Sequence, residues 1–137
     1  MENIENKDTN ELKMNRKEQR EEIIKRLYEM DINRDFSECE SEYEFIAETL
    51  EGVSIHLDKI DDIIAGNLTN WKINRLTYVD RSIIRLAVYE MYYTSIPAEI
   101  IINEALNNTR KYSDDGDNKM VGFTNKVLDN IKVFLKK

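Results

Sequence analysis

The segment from Leu76 to Tyr93, which reads LTYVDRSIIRLAVYEMYY, constrains the fold most because it is the most apolar stretch of a polar chain. Its apolar residues recur at helical spacing and cover most of the helix circumference, which is typical of a helix with neighbours on several sides. Thr77 and Asp80 form an approximate capping box at its start. Pro97 cannot continue the helical hydrogen bonding beyond its end. The sequence therefore predicts a central buried helix over this segment.

The length and composition indicate a single helical domain. A chain of 137 residues can bury roughly two-thirds of the surface that its unfolded form exposes. Hydrophobic residues make up 41% and charged residues 34% of the chain, and no long segment alternates as a strand does. We therefore predict a compact all-α protein. Residues 14–137 form the predicted domain, and residues 1–13, which lack an apolar period, form a predicted disordered leader.

Several classes of protein are disfavoured by what the sequence lacks. No uninterrupted run of about 18 apolar residues occurs, and the charged N-terminal region does not resemble a secretory signal, so we expect a cytoplasmic protein that does not enter a membrane. Cys39 is the only cysteine, which excludes an intramolecular disulfide. His56 is the only histidine, and the chain has no glycine-rich phosphate loop. We therefore expect a non-enzymatic protein without a metal or cofactor.

The net charge of −7 is unevenly distributed along the chain. Residues 31–62 carry −9, whereas residues 14–30 carry +1, residues 63–90 carry +2 and residues 91–137 carry +1. Most of the acidity therefore belongs to one middle segment. The total charge alone does not argue against nucleic-acid binding by the other segments.

The first predicted helix runs from Arg16 to about Met30, and its first half is polar. This half carries three cations, Arg16, Lys17 and Arg20. Arg16 and Arg20 share one helix face, so we expect their guanidinium groups to project beyond the packed body, where they suit phosphate groups. The alternative is an ordinary solvated helix end, which chemistry alone favours because three glutamates interrupt the basic run: Glu18, Glu21 and Glu22.

A long amphipathic helix is predicted next. Ser41 is its expected N-cap, and its apolar stripe continues for about six turns through Gly52 to Ile64. Trp71 lies in the hydrophobic connector that follows, and we expect its side chain in the core.

Two more helices are predicted in the last third of the chain. The first follows Pro97 and ends near Tyr112, before a turn-rich acidic segment. The second begins near Lys119, and five of its side chains are expected to face inward: Met120, Phe123, Val127, Ile131 and Phe134.

Three blocks of this sequence resemble the NusB family of bacterial transcription antitermination factors. The first, MNRKEQREEIIKRLYEMDIN over residues 14–33, is similar to the family's basic arm and the helix that follows it. The second, over residues 71–106, follows the family in order and spacing through VDRSIIRLAVYE, IP and INEA. The third, FTNKVLD over residues 123–129, resembles the family's Phe-Val-Asn-Gly-Val-Leu-Asp signature. Together the blocks span most of residues 14–131.

The resemblance implies a fold of two small packed helical bundles and an activity of binding rather than catalysis. Family members pair with the small-subunit ribosomal protein NusE. The heterodimer binds the boxA element of single-stranded ribosomal RNA leaders and acts in the RNA polymerase antitermination complex. The resemblance places RNA contacts at five positions: Arg16, Lys17, Arg20, Tyr28 and Phe123. It places contacts with the protein partner at two acidic positions: Asp80 and Asp117.

The chain also departs from the family pattern. Glu18 stands where the arm usually continues with a basic residue, and Lys126 replaces a glycine of the final signature. Residues 31–40 are shorter than the family's region there, so we expect its extra helix to be absent or reduced. One alternative is therefore a divergent NusB-like helical adaptor that binds a protein partner but not RNA. Another is the similar N-terminal domain of certain ribosomal RNA methyltransferases, which requires a cofactor-binding domain in addition.

Overall fold

The computed structural model describes residues 13–137 as a set of packed helices. The α-helices of this part are α1 (Arg16–Asn33), α2 (Glu44–Ile55), α3 (Leu57–Gly66), α4 (Tyr78–Tyr93), α5 (Ala98–Tyr112) and α6 (Lys119–Leu135), with a 3-10 turn at Ile73–Arg75. These described residues contain no strand, which confirms the all-α prediction. The predicted leader lies outside the described residues except for Lys13.

Helix α4 lies at the centre of the fold and packs against all five other α-helices. It begins at Thr77, whose Oγ1 accepts a hydrogen bond from the Asp80 backbone N–H at 3.1 Å, and it ends at Tyr93. Both ends agree with the sequence prediction. Each large apolar side chain that it buries contributes about 1.5–3 kcal/mol relative to exposure. The buried apolar side chains of α4 are Ile83, Ile84, Leu86, Ala87, Val88 and Met91.

Two arginines on α4 connect it to α1 and α3 through ion pairs. Arg81 Nε lies 2.7 Å from Asp31 Oδ2, and Arg85 Nη2 lies 2.8 Å from Asp61 Oδ2. Arg85 Nη1 also lies 3.1 Å from Asp31 Oδ2. The first helix was predicted to end near Met30, but α1 continues to Asn33 and holds the Asp31 carboxylate against both arginines.

The single long second helix of the prediction is in fact two helices. His56 takes φ −104° and ψ 18°, which turns the chain between α2 and α3. The apolar stripe stays buried on both sides of this turn, with Val53 before it and Ile60 after it. The N-cap prediction was also wrong, because α2 begins after Tyr43 and the Ser41 hydroxyl accepts from the Tyr43 N–H instead.

The buried face of helix α6 agrees with the prediction only in part, since Val127 and Ile131 are buried as predicted and the other three side chains are not. Phe134 is exposed, and Met120 and Phe123 are only half-buried. A helix with apolar residues on two adjacent stripes can pack on either one, so periodicity alone did not choose between them. The side chains that α6 buries are Val121, Thr124, Val127, Leu128 and Ile131.

Gly52 allows α2 to approach α4 closely. A Cβ atom added at this position would overlap the ring and hydroxyl of Tyr89, whose ring stacks on Tyr93 with centroids 5.6 Å apart. A glycine inside a helix lowers its propensity, but at this position it provides the space that Tyr89 occupies.

We expect Gly52→Ala to lower the free energy of unfolding by about 1–3 kcal/mol, because overpacking displaces the Tyr89 ring and outweighs the better helix propensity of alanine. Urea denaturation followed by circular dichroism measures the change. Gly66→Ala is the matched control, since nothing lies within 4 Å of a Cβ added there. In a Tyr89→Ala background, where the ring is absent, Gly52→Ala should no longer lower the free energy of unfolding. Equal stability of Gly52→Ala and the wild type would contradict this steric role.

Candidate nucleic-acid interface

The start of α1 is fixed by a capping box that the sequence analysis missed. Asn15 Oδ1 accepts from the Glu18 N–H at 2.8 Å, and Glu18 Oε1 accepts from the Asn15 N–H at 3.0 Å. The signal was present in the sequence as Asn-x-x-Glu immediately before a helix. Glu18 therefore stabilises the start of α1, at the position where the resemblance implied a basic residue.

Two of the three predicted arm cations are exposed at this helix start. The guanidinium carbon of Arg16 lies 3.9 Å from the centroid of the Phe45 ring, which places the cation over an aromatic face on α2. Lys17 is exposed and makes no ion pair or side-chain hydrogen bond with the described residues. These two side chains form the cationic end of the protein near the N-terminus of α1.

Arg20 does not belong to this exposed group. Its side chain is buried, with 6% of the residue exposed, and its Nη2 lies 3.0 Å from Oε2 of Glu90 on α4, which is 2% exposed. Its Nε also donates to both oxygens of that carboxylate, at 3.2 and 3.3 Å. The expectation that Arg20 projects into solvent is therefore wrong, because the face that it shares with Arg16 reaches α4. A buried guanidinium is tolerated here because a carboxylate pairs with it.

The environment of Glu90 opposes its ionisation. Burial raises the pKa of Glu90 above the usual range of a glutamate, while the hydrogen bonds and charge of Arg20 act in the opposite direction. Glu104 on α5 also raises it by repulsion. Oε2 of Glu104 is buried without a hydrogen-bond partner among the described residues, beside a small cavity that both glutamates and Arg20 line. Arg20 is thus the main group that lowers the pKa of Glu90 against the effect of burial.

Tyr28 lies near the opposite end of α1, at the edge of an open groove. Its residue is 36% exposed, and its ring packs edge-to-face on Tyr78 with centroids 6.1 Å apart. The groove has a volume of about 470 Å³. It combines apolar and aromatic side chains, among them Met14, Val79 and Tyr112, with a mainly acidic rim that consists of Glu18, Glu21, Glu22 and Lys25.

The two acidic positions that resemblance placed at the protein partner differ in accessibility. Asp80 is 2% exposed, and its carboxylate accepts from Thr77 Oγ1 at 2.7 Å and from Ser113 Oγ at 2.6 Å. It therefore ties the segment after α5 to the start of α4 rather than facing a partner. Asp117 is exposed in the following loop, where its Oδ1 accepts from the Lys119 N–H at 3.1 Å.

Phe123 is half-buried beside a second aromatic ring. The Trp71 ring packs on it with centroids 6.1 Å apart and an angle of 68° between the planes. Trp71 was predicted in the core but is 51% exposed, because the connector runs along the surface. Its polar flanks, Asn70 and Lys72, were the sequence signal for this exposure.

The described residues contain no group of three or more His, Cys, Asp and Glu side chains placed to hold a metal ion. In the same range, every helix is too short or too polar to cross a lipid bilayer.

Known proteins that resemble this chain agree on one family. Residues 5–132 match the model of the NusB family. The transcription antitermination protein NusB of Clostridium botulinum (strain Alaska E43 / Type E3) is 42% identical, with 86% of this chain and 98% of that protein covered. The NusB of Bacillus subtilis (strain 168) is 36% identical, over 87% of this chain and 95% of the relative. A solved structure of T. maritima NusB superposes with a TM-score of 0.73 at 32% identity, covering 88% of this chain and 92% of that one.

We expect Arg20→Ala to destabilise the protein by about 3–5 kcal/mol at neutral pH, because it leaves the Glu90 carboxylate buried without a partner. The pKa of Glu90 is already raised, and removing Arg20 raises it further. Protonation of the Glu90 carboxylate should therefore restore part of the lost stability. The stability difference from the wild type should therefore shrink as the pH falls from about 7 to about 5.

Urea denaturation at several pH values measures this effect. The double variant Arg20→Ala/Glu90→Gln should regain stability at neutral pH, and exposed Lys17→Ala is the control that should stay unchanged. If Arg20→Ala lowers the free energy of unfolding by the same amount at every pH, the buried ion pair is not the cause of the destabilisation.

Proposed function

The chain belongs to the NusB family, and from that premise we propose that it is a transcription antitermination factor that binds boxA-type leader RNA together with the ribosomal protein NusE. One observation carries the proposal: relatives named transcription antitermination protein NusB match it along nearly their whole length, at up to 42% identity. In this proposal the two proteins and the RNA act on the RNA polymerase antitermination complex. The role is binding, and we propose no catalytic step.

The RNA contact of the arm depends on Arg16 and Lys17. Both are exposed at the start of α1, where they can reach phosphate groups. Arg20 contributes indirectly, because its pair with Glu90 fixes α1 against α4. Single-stranded RNA also requires ring faces for its unpaired bases. Tyr28 and Phe123 supply rings that are at least partly accessible.

The groove beside Tyr28 is the proposed contact for the ribosomal protein. Ribosomal proteins that bind RNA are generally basic, and the groove presents apolar side chains within an acidic rim. Glu22 makes no ion pair with the described residues, whereas Glu21 is already paired with Lys111 at 2.9 Å. Asp117 adds an exposed carboxylate in the loop before α6. Asp80 takes part only by holding Ser113, since its carboxylate is buried.

The burial of Arg20 favours one alternative, in which the chain is an adaptor that binds a protein but not RNA. With Arg20 paired to Glu90 and Glu18 in the capping box, the arm retains Arg16 and Lys17 as its free cations. Each phosphate contact contributes to affinity in a salt-dependent way. The two functions therefore differ in whether a salt-sensitive RNA complex forms.

We expect Arg16→Ala and Lys17→Ala each to weaken binding of boxA-type leader RNA in the presence of NusE. Each should also make the negative slope of the logarithm of the association constant against the logarithm of the salt concentration shallower by about 0.7. A titration of labelled RNA at several salt concentrations measures both effects. Lys137→Ala, at the exposed C-terminus, removes the same charge and is the control. If both arm variants bind like this control, the arm assignment fails, and if the wild type binds no RNA, the adaptor function replaces the proposal.

We expect Glu22→Lys to weaken the complex with NusE by roughly tenfold, because it places a cation on the acidic rim of the groove. Co-purification and titration calorimetry with the ribosomal protein measure the loss. Asp129→Lys makes the same charge change on the exposed surface of α6 and should leave the affinity unchanged. Full affinity of Glu22→Lys would remove the groove from the partner interface.

A further inference from the structure

We infer that the connector before α4 is a second contact for single-stranded RNA, in which Trp71 stacks on an unpaired base while Lys72 and Arg75 bind the flanking phosphates. The inference rests on the proposed function, since it extends the RNA contact beyond the arm of α1. Trp71 begins the second block that resembles the family, but the resemblance assigned it no role. Its exposure and its surroundings carry the inference.

Trp71 is exposed although the fold offers buried sites close by. Leu76, five residues later, is 7% exposed, whereas Trp71 leaves 51% of its surface in water. Single exposed aromatic side chains are common on protein surfaces, so the charge and shape around Trp71 decide what it can bind. The Trp71 ring packs edge-to-face on Phe123 on one side. The exposed part of the ring is available to stack on a base.

The connector itself carries positive charge, and Asp80, which lines the adjoining cleft, has its carboxylate buried and hydrogen-bonded to Thr77 and Ser113. The stretch NLTNWKINRL over residues 67–76 contains two cations and no acidic residue. Lys72 and Arg75 are both exposed, and neither forms an ion pair or side-chain hydrogen bond with the described residues. Unpaired cations on either side of an exposed aromatic ring are the elements that single-stranded nucleic-acid sites combine.

The shape of the connector provides room for a nucleotide. An open concavity of about 520 Å³ is lined by Asn70, Trp71, Lys72, Asn74 and Arg75. A narrower cleft of about 80 Å³ adjoins it, and Trp71, Arg75 and Phe123 are among its lining residues. The two asparagine amides offer donors and acceptors for the edge of a base. This arrangement also explains how Phe123, which is half-buried, can contribute to an RNA contact through its neighbour.

Charge favours RNA over a protein as the occupant. The basic partner proposed for the acidic groove would be repelled by Lys72 and Arg75, whereas phosphate groups would be attracted. The connector packs on α4 near Asp80, and the arm contacts α4 near Glu90. These positions are ten residues apart, or about 15 Å along the helix. A strand that reaches both contacts must be at least that long.

The only tryptophan of the chain is Trp71, so tryptophan emission, excited selectively over the tyrosines, reports on the surroundings of this residue in the chain. Titration of the full chain with boxA-type leader RNA, with NusE present, should quench the tryptophan emission in parallel with the anisotropy change of labelled RNA. Trp71→Ala should weaken RNA binding by roughly fivefold or more, as expected for loss of one stacked base. Trp71→Phe should retain part of the affinity, and Tyr92→Ala, which removes another exposed ring, should retain all of it.

The outcomes separate this inference from the proposed function. One outcome is that RNA binds without changing the tryptophan emission of the wild type, while Trp71→Ala binds RNA as tightly as the wild type. In that case the second contact is wrong and the RNA-binding function stands. If NusE alone quenches the emission and RNA adds nothing, the connector is a protein surface and the inference is wrong. If no RNA binds, both fail. Parallel quenching together with the loss in Trp71→Ala supports both.

Discussion

The charged side chains of α4 need partners on other elements, and this requirement sets how the fold is arranged around the central helix. Glu90 pairs with Arg20 on α1, Arg85 pairs with Asp61 on α3, and Asp80 accepts from Ser113 after α5. A helix surrounded by neighbours cannot leave charges unpaired without a large cost. Each of these contacts therefore fixes a different neighbour, while the apolar side chains of α4 supply most of the burial.

This arrangement divides the basic residues into structural and available groups. Arginines that approach α4 are paired within the protein, whereas Arg16, Lys17, Lys72 and Arg75 remain exposed at two separate places. The acidic groove beside Tyr28 lies between helices that the buried pairs hold together. The same contacts that stabilise the core thus determine which surface charges are left for partners.

Local signals predicted the helices well, and contacts distant in sequence explain the errors. The Thr77 cap and Pro97 defined the ends of α4 because caps and prolines act on neighbouring residues. The burial of Arg20 could not be predicted in this way, since Glu90 is 70 residues away. Trp71 was placed in the core on hydrophobicity, but only the path of the connector shows that half of it remains in water.

The capping box at Asn15 and Glu18 has a consequence for the arm beyond helix stability. Arg16 and Lys17 extend from the first turn of an ordered helix, so immobilising them on a ligand costs side-chain rather than backbone entropy. They also lie at the positive end of the helix dipole, where cations are unfavourable. Glu18 in the same turn and the Phe45 ring under Arg16 offset part of this repulsion, and an anionic ligand would offset more of it, so binding there would also stabilise the helix start.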